Sequence, residues 1–195
     1  IGSRMFGRTG TDFLAEPIDS STQQIDLTLG YTGERLQLTG GYYGGWYDNH
    51  NNALYGSGGS GSTYSPIGLP PDNESHQIHL AGGYHFTPMT RGTFKLTYAQ
   101  AKQVDNFIVP AVPGNTSLDG RLDTTLAQVG INARPISKLS LLANVRYENR
   151  DDRTPVLRYS TLASGTSTFS GLYEPRSIKT TAAKTEAGYQ LPLGL

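Results

Sequence analysis

Along residues 23–47, apolar and polar side chains alternate one by one. Ile25, Leu27, Leu29 and Tyr31 are separated by Asp26, Thr28 and Gly30; after Thr32-Gly33-Glu34, Leu36, Leu38, Gly40, Tyr42 and Trp46 interleave with Gln37, Thr39 and Gly41. Successive side chains of a strand point to opposite faces, so each half reads as a strand with one apolar and one polar face. The short, Gly-containing break between them suits a tight hairpin. The same pattern predicts hairpins over about 76–101, turning at Thr87–Thr90, and over about 123–149, turning at Pro135–Lys138, with a last strand over about 179–191. Residues 1–22 read as loop, broken by Gly2, Gly7, Gly10 and Pro17. The segments 48–75, 102–122 and 150–178 are polar and rich in turn-forming residues, and read as long loops.

Short turns therefore alternate with long loops along about seven strands. Outer-membrane barrels have this polarity, with short periplasmic turns and long extracellular loops. The aromatic residues fall into place with it. Tyr31, Tyr84, Phe86 and Tyr189 lie near the short turns, and Trp46, Tyr47, Tyr98 and Tyr147 near the long loops, with Tyr43 close by. Belts of Tyr and Trp on either side of an apolar band mark the two interfaces of a bilayer. Strands of about 9–12 residues also suit a tilted crossing of the hydrocarbon. The expected fold is thus all-β: an antiparallel, up-and-down transmembrane β-barrel in the bacterial outer membrane. Seven strands do not make a closed even-numbered barrel, so the chain is expected to be part of a larger one. Arg35, His79, His85, Lys95, Arg134, Arg146, Glu148, Lys184 and Glu186 all fall on the polar faces and are expected to line a wide lumen.

Composition fits this picture and narrows it. The 195 residues include 16 Lys plus Arg and 16 Asp plus Glu, and this balance argues against nucleic acid as a partner. Hydrophobic residues make up 36%, and the mean hydropathy of −0.41 matches no membrane-spanning helix. A barrel escapes that test because its lumen-facing residues dilute its lipid-facing ones. The 24 Gly and 12 Tyr suit a Tyr-girdled wall with room for close strand contacts. There is no Cys, which rules out disulfides, Cys-based zinc sites and covalent haem attachment through C-x-x-C-H within these residues. The start, Ile1-Gly2-Ser3-Arg4, is not a charged lead into an apolar run, and a processed product or fragment is expected.

Candidate chemistry is sparse. Of the four histidines, His76 and His79 alternate to opposite faces, and His79 and His85 share a face six residues apart, too far for one ion. No G-x-S-x-G elbow exists, and Gly56–Gly61 lacks the Lys-Ser/Thr ending of a phosphate loop. Asp48, Asn49, Asp72, Asn73, Asp151 and Asp152 border the long loops, where they serve as turn-forming residues or as oxygen ligands for Ca²⁺. No catalytic, metal or cofactor residue is assigned, and no enzymatic activity is expected.

Several local sequences, in order, carry a family resemblance. They are Gly41-Tyr42-Tyr43-Gly44 followed by Asp48-Asn49, Pro71-Asp72-Asn73 before His76-Gln77, the Thr87-Pro88 turn, and Tyr147-Glu148 followed by Asp151-Asp152-Arg153-Thr154-Pro155. With these the chain resembles the MtrB/PioB family of decahaem-associated outer-membrane barrels from about Ile1 to Leu195. The resemblance implies a large barrel that sheathes a periplasmic multihaem c-type cytochrome, often with an extracellular multihaem cytochrome docked on top. Such a complex conducts electrons across the outer membrane for extracellular metal reduction or oxidation. The haem belongs to the partner, and the barrel is an insulating scaffold. The lumen-facing residues named above, the two histidines included, are then candidates for cytochrome contact. Three other readings compete: a passive diffusion porin with a water-filled lumen, a barrel hydrolase, and a soluble β-sandwich binding module.

Overall fold

The computed structural model describes residues 2–6, 12–55, 66–108, 116–156, 158–159, 171–172 and 174–191. Seven long strands dominate it: β1 (Ser20–Thr32), β2 (Leu36–Asn49), β3 (Asn73–Thr87), β4 (Thr90–Gln103), β5 (Arg121–Ile136), β6 (Leu139–Asp152) and β7 (Ile178–Tyr189). They form one antiparallel sheet in which each strand pairs with its neighbours in sequence, an up-and-down meander from β1 to β7. Among the described residues β1 and β7 are its open edges.

The strands run further than the alternation alone predicts. Each of the three long loops gives up a few residues at both ends, because backbone pairing continues past the last apolar side chain. Within those loops, Ala53–Leu54 pairs with Ile67–Gly68 and Arg158–Tyr159 with Gly171–Leu172. The first segment is not wholly loop either. Gly2–Phe6 pairs with Asp12–Glu16, since five-residue runs are long enough to ladder through the backbone whatever breakers flank them. Nor does the turn after β5 begin at Pro135. The strand carries Pro135 through to Ile136, which lies opposite Leu139, and a register shift between Leu139 and Leu141 accommodates the missing N–H.

The packing is unlike that of a soluble domain. Among the described hydrophobic residues only Leu69 is buried, and no large side chain is fully enclosed. Instead a continuous apolar face stands exposed, with Leu29 at 82% and Leu27, Ile78, Leu96 and Val129 also open. A chain of this length ordinarily hides such residues in a core. Here something outside the described residues must cover them.

The apolar band also runs obliquely across the strands. Its outer limit on β1 is Ile25, whose row of hydrogen-bonded partners passes through His76, Gln100, Asp123 and Asp151 and is polar from β4 onward. On β7 the outer limit is Ala183, and its row leads back through Val145, Val129, Phe94, Gly82 and Leu38 to Tyr31, six residues below Ile25. The inner limit shifts equally: Tyr31 closes the band on β1 and Tyr189, six residues below Ala183, closes it on β7. A drop of about one residue per strand, ~3.3 Å for every ~4.8 Å across the sheet, means a strand tilt of ~35° from the normal to the band. That is the tilt of strands in a membrane barrel.

Candidate functional site

The site is a face, and parity along the strands decides its membership. On the outward, apolar side lie seven of the aromatics expected at the interfaces. Near the short turns, Tyr84 and Phe86 meet edge to face with ring centres 5.1 Å apart, and Phe86 lies over Gly92, where an added Cβ would come within 2.7 Å of its ring. Tyr31 and Tyr189 extend this belt on β1 and β7. Toward the long loops, Trp46, Tyr98 and Tyr147 form the other belt. Tyr43 and Tyr47 do not join it. Register sets them opposite Asp26 and Thr22, on the polar side, because odd positions of β2 point there whatever the residue type. His76 occupies the apolar side instead, with its Nδ1 2.7 Å from the Tyr42 hydroxyl and its ring edge-on to Trp46. Cross-strand neighbours of this kind cannot be read without the register.

On the polar side, eight of the nine residues expected to line a lumen come together. Row by row from the turns outward, His85 is opposite Arg91, whose row continues through Asn132 and Leu142 to Glu186. Two residues further out on β7 is Lys184, in the row of Thr93, Gly130 and Asn144. Lys95, Gln128 and Arg146 make the next row, and His79, Thr97, Leu126 and Glu148 the one beyond. Arg134 follows Asn132 on the same side of β5. Arg35 is the exception. It lies in the β1–β2 turn, where its carbonyl accepts a hydrogen bond from the His85 backbone N–H at 2.8 Å.

Three features of this side escaped sequence reasoning. Arg91 and Arg150 share it, one beside a turn and one at the outer end, where alternation is hardest to phase. Arg91 lies across Gly83, whose missing Cβ makes room for the guanidinium, and donates to Gln37 Oε1 at 2.9 Å. Leu122, Leu126 and Leu142 also point this way, so the face is mixed rather than uniformly polar. A hollow of about 740 Å³ near the turns is lined by His85, Arg91, Asn132, Arg134, Leu142 and Glu186, among others.

Local pairing neutralises some of the charge. Arg146 Nη2 is 2.6 Å from Glu148 Oε2, and Lys184 Nζ is 2.6 Å from Glu186 Oε1, each pair two residues apart on one strand. The His79 ring lies over Gly41, and its Nδ1 and the Thr97 Oγ1 opposite are buried without a hydrogen-bond partner among the described residues. Beyond the outer aromatic belt the Asx residues serve the loops. Asn49 N–H donates to Asp72 Oδ1 at 2.6 Å, and Asp72 N–H to Asp105 Oδ2 at 2.9 Å. Asp123, only 4% exposed, accepts from both Arg121 and Gln100, with Arg153 at 3.3 Å. The Arg121 hydrogen bonds hold its carboxyl below the ordinary carboxylate value. The Gly-rich run 56–61 lies outside the described residues.

Comparison with known proteins agrees with this geometry. The MtrB/PioB family of outer membrane beta-barrel porins matches over residues 1–195. Outer membrane protein MtrB of Shewanella baltica (strain OS185) is 30% identical over 156 residues, which cover 73% of this chain and 22% of that protein. The chain thus spans about a fifth of that relative's length. An obliquely banded meander with one lipid-ready face is what such a family requires, and this chain belongs to the MtrB/PioB family of outer-membrane β-barrel porins.

Proposed function

We propose that this chain is an arc of barrel wall in the bacterial outer membrane whose polar side packs against a multihaem c-type cytochrome held in the lumen. The outward face supplies anchorage: at ~25 cal/mol per Å² its exposed apolar surface is far more stable against lipid than against water. The observation that carries the partner is the mixed character of the other face. A water-filled pore has no use for Leu122, Leu126 and Leu142 on its lumen side, whereas a packed protein surface covers them. Paired Arg146–Glu148 and Lys184–Glu186 leave that face polar enough to accept a water-soluble occupant.

In this reading the wall does no redox chemistry. With no Cys it cannot attach a c-type haem, and the haem is carried by the partner. The wall instead excludes lipid, insulates and positions, so that a soluble electron carrier spans a membrane it could not enter alone. Further strands beyond these seven complete the barrel, because open sheet edges in hydrocarbon leave backbone groups unpaired. An extracellular multihaem cytochrome docked at the loop end, and extracellular metal reduction or oxidation by the assembly, follow from the family resemblance. The test is the visible absorption spectrum of the full-length protein, purified in detergent through a tag on the barrel. A c-type haem Soret band at several haems per barrel is expected; a colourless barrel that conducts ions in planar bilayers would instead be a diffusion porin.

A further inference from the structure

The charges of the polar face are segregated by strand. On β4 to β7 this side carries six basic residues: Arg91, Lys95, Arg134, Arg146, Arg150 and Lys184. Its carboxylates there are Glu148 and Glu186, both engaged by cations on their own strands, and Asp152 at the outer rim, which accepts from the backbone N–H groups of Thr154 and Arg176. Arg91, Lys95, Arg134 and Arg150 are exposed and have no carboxylate within ion-pair distance among the described residues. On β1 to β3 the same side holds the lone carboxylate Asp26.

The whole chain has zero formal charge, so this surplus is not a general basicity. Many of the compensating acids lie elsewhere, at the loop end: Glu74 beside Lys102, Asp123 and Asp151 around Arg121 and Arg153, and Asp72 and Asp105 in the loops. In an open lumen four unpaired cations are simply hydrated. Against a packed occupant they lose much of that hydration, and each then needs an opposite charge across the contact. Arg91 is already aimed, its guanidinium laid over Gly83 with donors to spare beyond Gln37.

Given the enclosed cytochrome proposed above, on which this step rests, we infer that β4–β6 form a basic track that receives an acidic, carboxylate-bearing surface of that partner. The interaction is charge-matched and salt-sensitive, and it fixes how the partner is turned within the barrel. The other end of this arc, around Asp26, makes no such demand.

The test uses the full-length barrel complex from outer membranes, comparing wild type with Lys95→Glu/Arg150→Glu and the neutral Lys95→Met/Arg150→Met. Haem absorbance per barrel is read after washes at low and high NaCl. The expected result is a salt-dependent fall for wild type, a smaller occupancy for the neutral variant, and at least a tenfold loss for the charge reversal already at low salt. Unchanged heat-modifiable migration in gels verifies that each barrel is folded. A folded charge-reversal barrel with full haem occupancy at both salts overturns the track while leaving the cytochrome reading intact. A colourless wild-type barrel fails the earlier reading instead. If its conductance is anion-selective and the charge reversal inverts that selectivity, the track serves small anions, and the acidic-surface inference is overturned.

Discussion

At the scale of single residues, the wall depends on places where a side chain is missing. Gly41 is the tightest: an added Cβ would meet the backbone carbonyl of Leu27 on the neighbouring strand and come within 2.7 Å of the His79 ring. Backbone cannot swing aside as a long side chain can. Gly41→Val is therefore expected to destabilise the folded barrel by about 1–3 kcal/mol and to displace His79. Gly83→Ala meets the flexible end of Arg91 and is expected to cost markedly less. Chemical unfolding from detergent or lipid, followed by gel mobility, checks the difference. Asp123 makes a second residue-scale prediction. It lies beyond the outer aromatic belt, with its pKa lowered by hydrogen bonds from Arg121 and then Gln100. A carboxylate whose folded pKa is depressed contributes stability above its unfolded value, near pH 4, and loses it as pH falls through the folded value. Wild type is expected to lose more thermal stability between pH 7 and pH 3 than Asp123→Asn does; equal losses would remove Asp123 from the account.

At the scale of elements, the strands were legible in the sequence because alternation is a property of side chains, and the side chains of a barrel wall meet two different media. The fold class, the up-and-down order and the two aromatic belts follow from it. What was not legible depends on register or on phase near strand ends. Tyr43 and Tyr47 look like belt residues by type but fall on the other parity. Arg35 looks like a strand residue but sits in the turn, and Arg91 and Arg150 lie where a turn or a loop obscures the count. The Tyr42–His76 bond and the Asp123 cluster join residues on different strands that no spacing rule connects. The two faces also predict opposite tolerances. Leu80→Arg, near the middle of the outward band, is expected to cost about 2–4 kcal/mol in a bilayer, while Gln128→Arg on the polar side of β5 is expected to leave folding nearly unchanged. Refolding into vesicles across a urea series separates the two, and equal penalties would mean that the faces are wrongly assigned.

At the scale of the molecule, seven strands with a ~35° tilt are an arc, and its outward face is finished while its inward face is not. Lipid completes the former. The latter carries leucines and a surplus of cations, both of which a protein partner would cover. The most direct measurement uses the absence of cysteine from this stretch. Single cysteines would be placed along β4 of the full-length protein in a background without other reactive thiols, as Thr93→Cys, Phe94→Cys, Lys95→Cys and Leu96→Cys. Probes at 94 and 96 are predicted to be quenched by a bilayer-borne quencher whether or not the cytochrome is present. Thiols at 93 and 95 are predicted to react with a membrane-impermeant reagent in barrels made without the cytochrome, and to be protected in the complex. Equal labelling of 93 and 95 in both, with no alternation in quenching, would contradict a wall that faces lipid on one side and a packed protein on the other.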